Sequence, residues 1–395
     1  MTANQPAITD NFAAWLSVFY AAHFLVLGMS MPFFPVWLAA KGLDPGAIGL
    51  VLAAPMLARL ATTPVLTGIA DRFDALRGTL MAAALALPLG YCLVGLSSGF
   101  WPILLTVALV SSTFGSIFPL SDAYALKGLP ARGGVYGRVR LWGSAAFVVG
   151  NLGAGLVADL IRPIDLIWMI AATSCLVALV ALGLSPLGVA APPRAAAGSA
   201  LGLLRTPAFL VITAAVALIQ ASHALYYGFS ALAWANAGLD GRVIGVLWAL
   251  MVVVEIILFA YSARLPSWLG PIPLIGLGAA GAVVRWGVMA LDPPVYVLPF
   301  LQALHGLSFA CTHLGSMMFL VRAAPPGLAA TAQGYFTLAL GLVMAAFMAA
   351  SGRLFAAYGV RAYAAMALAA AIGGVLVIVA QRLWRDGDRD SNGPH

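Results

Sequence analysis

Long apolar runs, separated by short polar or Gly- and Pro-containing breaks, recur along the whole chain. Most of them reach about 20 residues or more, the length that an α-helix needs to cross a hydrocarbon core roughly 30 Å thick. The residue-by-residue alternation of a membrane β-strand is absent, so the pattern indicates helices rather than a barrel. We predict twelve membrane-spanning segments, numbered 1 to 12 in chain order, at residues 12–38, 45–70, 76–97, 100–127, 136–160, 164–185, 207–235, 241–264, 270–291, 294–322, 328–357 and 360–383.

The connections between the segments are short, with one exception. The stretch PLGVAAPPRAAAGSA, which begins at Pro186, is rich in Pro, Gly and Ala and has no periodicity, as is typical of a linker. The sequence therefore predicts an all-α integral membrane protein of two six-helix halves. The expected divisions are an N-terminal half at 1–186, a cytoplasmic linker at 187–206, a C-terminal half at 207–384 and a cytoplasmic tail at 385–395.

Composition and charge agree with a membrane protein. The chain is 63% hydrophobic and 8% charged, whereas about a quarter of the residues of a soluble domain are charged. Most Lys and Arg residues lie in the loops on the side of the linker and the tail, so the positive-inside rule predicts an inner-membrane protein with both termini cytoplasmic. Topology thus accounts for the net charge of +7, and no nucleic-acid partner is predicted.

Patterns that would indicate enzyme chemistry are not convincing here. Residues 95–99 match a motif for a nucleophilic serine, but they fall in a short turn that could not form that site. Residues 276–281 match a nucleotide-binding motif, but they lie inside a predicted helix, where small residues allow close packing. His and Cys residues do not show zinc spacing, and no phosphate-binding loop is present. We therefore predict no enzyme activity, cofactor or metal, and we expect a monomer in the lipid bilayer.

Two stretches of the chain repeat each other at an offset of 196 residues. GLDPGAIGLVLAAPMLAR at 42–59 aligns without a gap with GLDGRVIGVLWALMVVVE at 238–255, and the alignment places Arg59 opposite Glu255. Such duplication is typical of transporters built from two repeats, with a substrate site between them near the middle of the membrane. The alternative is chance similarity between helices rich in Ala and Leu.

A few ionisable residues lie inside the predicted spans. A charge at the centre of a bilayer costs about 2.5 to 3.5 kcal/mol on insertion scales, so such residues are candidates for function. Glu255 stands out because it is the only glutamate in the chain. The candidates are His23, Arg59, Asp122, Arg140, His223, Glu255, Arg285, His305 and His313.

For each candidate a structural role is the alternative. A neutral histidine can bond to a neighbouring helix, as polar side chains in membrane bundles often do. Arg59 and Arg285 could each form a structural ion pair with Asp122 or Glu255. On segment 7, a spacing of three and four residues places Gln220, His223 and Tyr227 on one helical face.

The stretch GIADRFDALR at 68–77, between segments 2 and 3, resembles the signature of the major facilitator superfamily. Together with twelve segments and a duplicated half, it implies the fold of that superfamily. In the family the acidic and basic residues of the motif join helix ends and help to gate the cytoplasmic side. The resemblance implies this gating role for Gly68, Asp71, Arg72 and Arg77.

Five further stretches resemble the 3-phenylpropionic acid transporter group, which is related to lactose permease. The resemblance implies a substrate-binding role for Asp122 and Arg140, which correspond to the carboxylate and arginine that bind the sugar in lactose permease. Phe147 stands where that permease has a tryptophan that stacks on the sugar ring. The five stretches are YGRVRLWGS (136–144), QASHALYYGFSALAW (220–234), VVVEIILFA (252–260), VVRWGVM (283–289) and LHGLSFACTH (304–313).

Glu255, Arg285 and His305 resemble the acid, arginine and histidine of lactose permease on segments 8, 9 and 10. The chain departs from that pattern at Ser308, where the permease has the glutamate that carries the proton. Because burial favours the neutral form of a carboxyl group, Glu255 is the candidate proton carrier, with His305 or His223 as its partner.

These observations predict a proton-coupled symporter of a small organic substrate, an aromatic monocarboxylate such as phenylpropionate. The substrate-binding residues are expected among Asp122, Arg140, Arg59, Arg285, Phe147, Tyr227 and Gln220. One alternative keeps the fold but moves a sugar, a nucleoside or, outwards, a drug. Another is a membrane receptor or lipid-handling protein that transports nothing.

Overall fold

The computed structural model describes residues 11–187, 200–266, 268–324 and 328–391, apart from the side chains at 71, 131, 200–201, 329–330 and 384–391. Within these ranges the regular structure is helical, without strands. The α-helices are α1 (Phe12–Ala40), α2 (Pro45–Arg72), α3 (Leu76–Leu96), α4 (Phe100–Gly128), α5 (Tyr136–Ala158), α6 (Leu166–Leu182), α7 (Pro207–Ala221), α8 (Ala224–Asn236), α9 (Gly241–Tyr261), α10 (Pro271–Met289), α11 (Leu298–Ala303), α12 (Thr312–Ala323), α13 (Ala329–Tyr358) and α14 (Tyr363–Ser391).

Among the described residues, eleven stretches are long and apolar enough to cross a membrane. The last of them, Thr331–Leu383, holds both α13 and α14, which a 3₁₀ turn at Gly359–Ala362 separates. The all-helical membrane fold is therefore confirmed, and the predicted number of twelve helices is confirmed approximately. Most of the predicted linker, at 188–199, and the end of the tail, at 392–395, lie outside the described residues.

Two predicted segments are interrupted. Segment 7 consists of α7 and α8, and the chain leaves the α-helix at Ser222 and His223 between them. Segment 10 consists of α11, a π-helix at Gly306–Cys311 and α12. Neither break contains a proline. Such interruptions at membrane depth are tolerated where the freed backbone groups find partners inside the protein, and they are frequent at functional sites.

The turn before α2 and the turn before α9 have the same geometry. Gly42 and Gly238 both have left-handed backbone angles, with φ of 82° and 85°. In each turn the following leucine donates its N–H five residues back, Leu43 to Leu38 and Leu239 to Trp234, which is the bond of a glycine-terminated helix. The sequence duplication is thus repeated in the backbone.

The two sets of helices, α1–α6 and α7–α14, approach each other closely at one end of the bundle, which we call the far end. It carries the turns at 41–44, 159–165, 237–240 and 359–362, whereas the linker end carries 73–75, 129–135 and 200–206. A Cβ on Gly352 of α13 would overlap the carbonyl oxygen of Pro45 at the start of α2. Likewise, a Cβ on Gly155 of α5 would overlap the carbonyl oxygen of Gly241. Glycine thus allows backbone to lie against backbone at the far end.

A carboxylate also joins the two sets at the far end. Asp159, which follows α5, accepts hydrogen bonds from the N–H groups of Gly241 (2.6 Å) and Arg242 (3.1 Å) and from Nε of Arg242 (3.1 Å). These N–H groups begin α9 and have no partner within that helix. In the first copy, Asp44 caps its own helix by accepting from the Ala47 N–H at 3.1 Å. Its counterpart Asp240 makes no such bond among the described residues, because the other set of helices supplies the cap.

Candidate functional site

Glu255, His305 and Arg285 form one cluster in the interior of the C-terminal set. Glu255 Oε2 lies 3.6 Å from His305 Nε2, and Arg285 Nη1 donates to His305 Nδ1 at 2.9 Å. Arg285 is fully buried and also donates to Gln302 Oε1 at 2.8 Å. Because an arginine can only donate, Nδ1 of His305 must be an acceptor, which puts the ring proton on Nε2, on the side of Glu255. His305 therefore links the carboxyl group to the guanidinium.

The interrupted helices extend this cluster. At the break between α7 and α8, His223 Nδ1 donates to the carbonyl oxygens of Ile219 (3.2 Å) and Gln220 (3.1 Å), which the broken helix leaves without their usual partners. Its Nε2 accepts from the hydroxyl of Ser308 at 3.0 Å, within the π-helix. Arg285 Nη1 lies 3.5 Å from the same hydroxyl. A continuous polar path therefore leads from Glu255 to the break in segment 7.

This arrangement differs from one sequence expectation. A direct ion pair between Arg285 and Glu255 was one alternative, but within the described residues Arg285 bonds to His305 and Gln302. The faces of Tyr226 and Trp286 hold the guanidinium, with ring centroids 4.7 and 4.5 Å from Cζ. Gln302 was not among the predicted site residues. A polar amide three residues before a buried histidine was the available signal.

The N-terminal set has its own polar cluster around Asp122. The carboxylate accepts hydrogen bonds from the hydroxyls of Tyr20 (2.5 Å) and Tyr136 (2.9 Å). Neither tyrosine was predicted as a site residue, although Tyr136 opens one of the stretches that carry the family resemblance. No described ion pair joins Asp122 to Arg140, because the two hydroxyls satisfy the carboxylate instead.

Arg140 packs among aromatic rings. Its guanidinium lies 4.1 Å from the ring centroid of Phe24, 5.0 Å from that of Phe118 and 5.8 Å from that of Tyr20. It also interacts electrostatically with Glu255 of the C-terminal set. The charge of Arg140 in one set thus acts on the acid of the other set.

Arg59 lines two cavities. The first, of about 260 Å³, is lined mainly by α1, α2, α3 and α4, with Tyr227 of α8 and Met348 of α13 contributed by the other set. Its aromatic walls are Phe34, Tyr91, Phe114 and Tyr227. The second, of about 780 Å³, lies between α2 and α13 and shares Arg59 and Met56 with the first. Among the described residues Arg59 has no hydrogen-bond or ion-pair partner, so the alternative of an ion pair with Asp122 or Glu255 is not realised.

The other predicted substrate residues are placed differently. Tyr227 lines the first cavity and stacks on the ring of His223, with centroids 5.8 Å apart. Gln220 is buried next to the break in segment 7. Phe147 is buried within the N-terminal set, where its carbonyl oxygen accepts from Asn151, and it lines neither cavity.

The predicted gating motif lies at the linker end. Gly68 is exposed on α2, and the Arg72 guanidinium lies 5.6 Å from the ring centroid of Phe73. Arg77 donates from Nε to the carbonyl oxygen of Leu184, which ties the start of α3 to the end of α6. The side chain of Asp71 lies outside the described residues.

Comparisons with known proteins agree with this architecture. The model of the MFS_1 like family matches residues 13–366. The chain is 32% identical over 368 residues to a "Probable 3-phenylpropionic acid transporter" of Escherichia coli, covering 90% of this chain and 94% of that protein. It is 25% identical over 321 residues to the maltose permease of Geobacillus stearothermophilus, covering 81% and 82% of the two chains.

The fold also matches solved structures. The nucleoside transporter NupG superimposes with a TM-score of 0.78 at 15% identity, over 95% of this chain and 99% of that one. A bacterial homologue of the lysosomal transporter Spinster, solved in an inward-facing state, gives a TM-score of 0.74 at 15% identity, over 95% and 97%. The family and these relatives are transporters, not enzymes. The predicted family is confirmed: the chain belongs to the MFS_1 like family and is a multi-pass membrane transporter of the major facilitator type.

Proposed function

We propose that the protein is a proton-coupled symporter that moves an aromatic monocarboxylate, of the phenylpropionate kind, by alternating access. The observation that carries the coupling is the cluster of Glu255, His305 and Arg285, in which the single glutamate of the chain faces a histidine bonded to a buried arginine. The cargo is supported by the relative that is 32% identical, which is described as a probable 3-phenylpropionic acid transporter.

In the proposed mechanism Glu255 carries the proton. His305 cannot accept a second proton while Arg285 donates to its Nδ1, so the carboxyl group is the member of the cluster that is free to titrate. Ionised Glu255 attracts Arg140 across the interface between the two sets of helices. Protonation removes this attraction and allows the two sets to rock around the substrate.

We further propose that the linker end faces the cytoplasm, following the positive-inside rule. The far end then faces the outside. Because the two sets of helices are in close contact there, at Gly352 and Gly155, this conformation is the state closed to the outside. In this scheme a proton and a substrate enter from the far end and leave at the linker end.

Proton symport can be tested by following the pH of a lightly buffered suspension of de-energised cells that contain the protein. Addition of phenylpropionate is expected to make the medium more alkaline, faster than in cells without the protein, because each substrate anion enters with protons. Uptake of phenylpropionate without faster alkalinisation would contradict proton coupling. Alkalinisation on addition of a sugar or nucleoside, and not of the acid, would replace the proposed cargo.

Asp159 gives a prediction about the far end. Replacing it by Asn is expected to reduce the outward-closed population about two- to fivefold, since a charged cap at a helix N-terminus contributes modestly at an exposed site. The measure is labelling of Ser111→Cys in the first cavity by a membrane-impermeant thiol reagent, with the three native cysteines replaced. Asp165→Asn is the matched control, because Asp165 pairs with Arg162 of its own set. Equal labelling in both variants would argue against the cap.

The contact of Asp159 should also depend on pH in one direction. Partial burial favours a higher pKa, but the N–H donors of Gly241 and Arg242 and the Arg242 guanidinium outweigh it and hold the pKa of Asp159 below its usual value. A group with a lowered pKa stabilises the closed state above its ordinary pKa of about 3.9 and loses this contribution as the pH falls through the lowered value. We therefore expect no change in labelling from this residue between about pH 5 and 8, and an increase only in more acidic solution.

A further inference from the structure

We infer that Arg59 binds the carboxylate of the substrate and that the first cavity, lined mainly by α1, α2, α3 and α4 with Tyr227 and Met348 of the other set, holds the aromatic ring. This inference rests on the proposed function, because it names the site of the proposed cargo. It selects one arginine from the three that the sequence left as candidates.

The surroundings of the three intramembrane arginines favour Arg59. Arg285 is fully buried and donates to His305 and Gln302. Arg140 packs against three aromatic rings. Arg59 has no hydrogen-bond or ion-pair partner in the described part of the chain, and its side chain is exposed to two cavities. Because charged groups in a membrane interior are normally paired, an unpaired cation facing a cavity indicates an anionic ligand.

The size and lining of the first cavity suit a small aromatic acid. A cavity of about 150 Å³ can bind benzene, so a volume of about 260 Å³ leaves room for one ring and a short acid chain. Phe34, Tyr91 and Phe114 supply aromatic walls, and Ser30 and Ser111 supply hydroxyls. A sugar requires many hydrogen-bonding groups, which this mostly apolar lining does not offer.

A glycine positions the arginine. A Cβ on Gly115 of α4 would overlap Cδ and Cγ of Arg59, so only glycine at this position lets the arginine side chain lie across α4. Arg59 also lies on the boundary between the first cavity and the larger one between α2 and α13. A carboxylate bound to Arg59 therefore lies where the two cavities adjoin.

The test is equilibrium binding to purified full-length protein, comparing 3-phenylpropionate with the uncharged 3-phenylpropanol. Arg59→Gln is expected to weaken binding of the acid by roughly 10- to 100-fold, the value of a charge-assisted hydrogen bond, and to leave binding of the alcohol unchanged. Arg59→Lys should fall in between, because lysine keeps the charge but loses the bidentate geometry. The stability of every variant against unfolding, measured without ligand, shows whether the substitution has disturbed the fold.

A second pair of variants tests the positioning. Gly115→Ala should weaken binding of the acid more than binding of the alcohol, because it displaces the arginine side chain. Gly137→Ala is the matched control, since a Cβ there meets nothing within 4 Å. Both variants keep the arginine and its charge, so this comparison tests the position of the Arg59 side chain separately from its charge.

Several outcomes would overturn the inference. If Arg59→Gln binds the acid as tightly as wild type while Arg140→Gln does not, the carboxylate binds at Arg140 and the proposed function stands. If Arg59→Gln loses acid and alcohol equally, Arg59 has a structural role. If the wild-type protein binds neither aromatic compound, the proposed cargo is wrong and the inference falls with it.

Discussion

Replacing Glu255 by Gln is expected to abolish the accumulation of substrate against its gradient, while exchange of labelled for unlabelled substrate continues. Glutamine has the shape of a protonated glutamic acid but cannot release a proton. The variant should therefore resemble a permanently loaded carrier that changes conformation with substrate bound but performs no net symport. Uptake would stop at the external concentration.

Two assays on the same vesicles measure this result: uptake driven by an imposed proton gradient, and exchange with no gradient. Asp292→Asn is a matched control, because it also converts an acid to its amide. Asp292 lies in an exposed turn with φ of 52°, a conformation that Asn tolerates. Accumulation by Glu255→Gln at the level of wild type would remove Glu255 as the proton carrier. Loss of exchange as well as accumulation would indicate a role in gating or binding.

The second large effect is expected at Gly352. Its alanine variant introduces a Cβ that overlaps the carbonyl oxygen of Pro45 and crowds Gly46 on α2. Overpacking of this kind costs about 1 to 3 kcal/mol, and every 1.4 kcal/mol is roughly a factor of ten in population. We therefore expect the outward-closed state to be about 5- to 100-fold less populated and net transport to slow accordingly.

Labelling of Ser111→Cys from the far end should rise in this variant, because the first cavity, which Ser111 lines, is expected to open to that side. Gly334→Ala is the control on the same helix, since a Cβ at Gly334 meets nothing within 4 Å. Its labelling and transport should stay close to wild type. If both variants behave alike, the contact between α2 and α13 does not limit closure of the far end.

Much of the fold follows from local features of the sequence. Apolar runs of membrane-spanning length predicted the helices, and they would do so whatever the helices pack against. The duplicated stretch predicted a duplicated structure, and the turns at Gly42 and Gly238 share their left-handed glycine and the backbone hydrogen bond of the leucine that follows it. The scarcity of glutamate was also informative. The only glutamate in the chain, Glu255, lies in an apolar run, and this position marked it as a candidate site residue.

The partners of the polar residues could not be predicted in the same way. Periodicity placed Gln220, His223 and Tyr227 on one face of a continuous helix, but the helix is broken at His223. The His223 ring compensates for the break by bonding to the freed carbonyl groups, and Ser308 on another helix completes the arrangement. An interaction between residues 85 positions apart in the chain leaves no periodic trace in the sequence.

By itself, the sequence determined that the chain is a helical membrane protein with a duplicated architecture and a small set of intramembrane charges. Hydrophobic patterning and turn chemistry act over a few residues, so they can be read without knowing the fold. Only the tertiary structure decided that Arg285 bonds to His305, that two tyrosines satisfy Asp122, and that Arg59 faces a cavity with no partner among the described residues. These outcomes depend on which helices meet and at what depth, because the cost of burying a charge can be met by any suitable group within hydrogen-bonding distance.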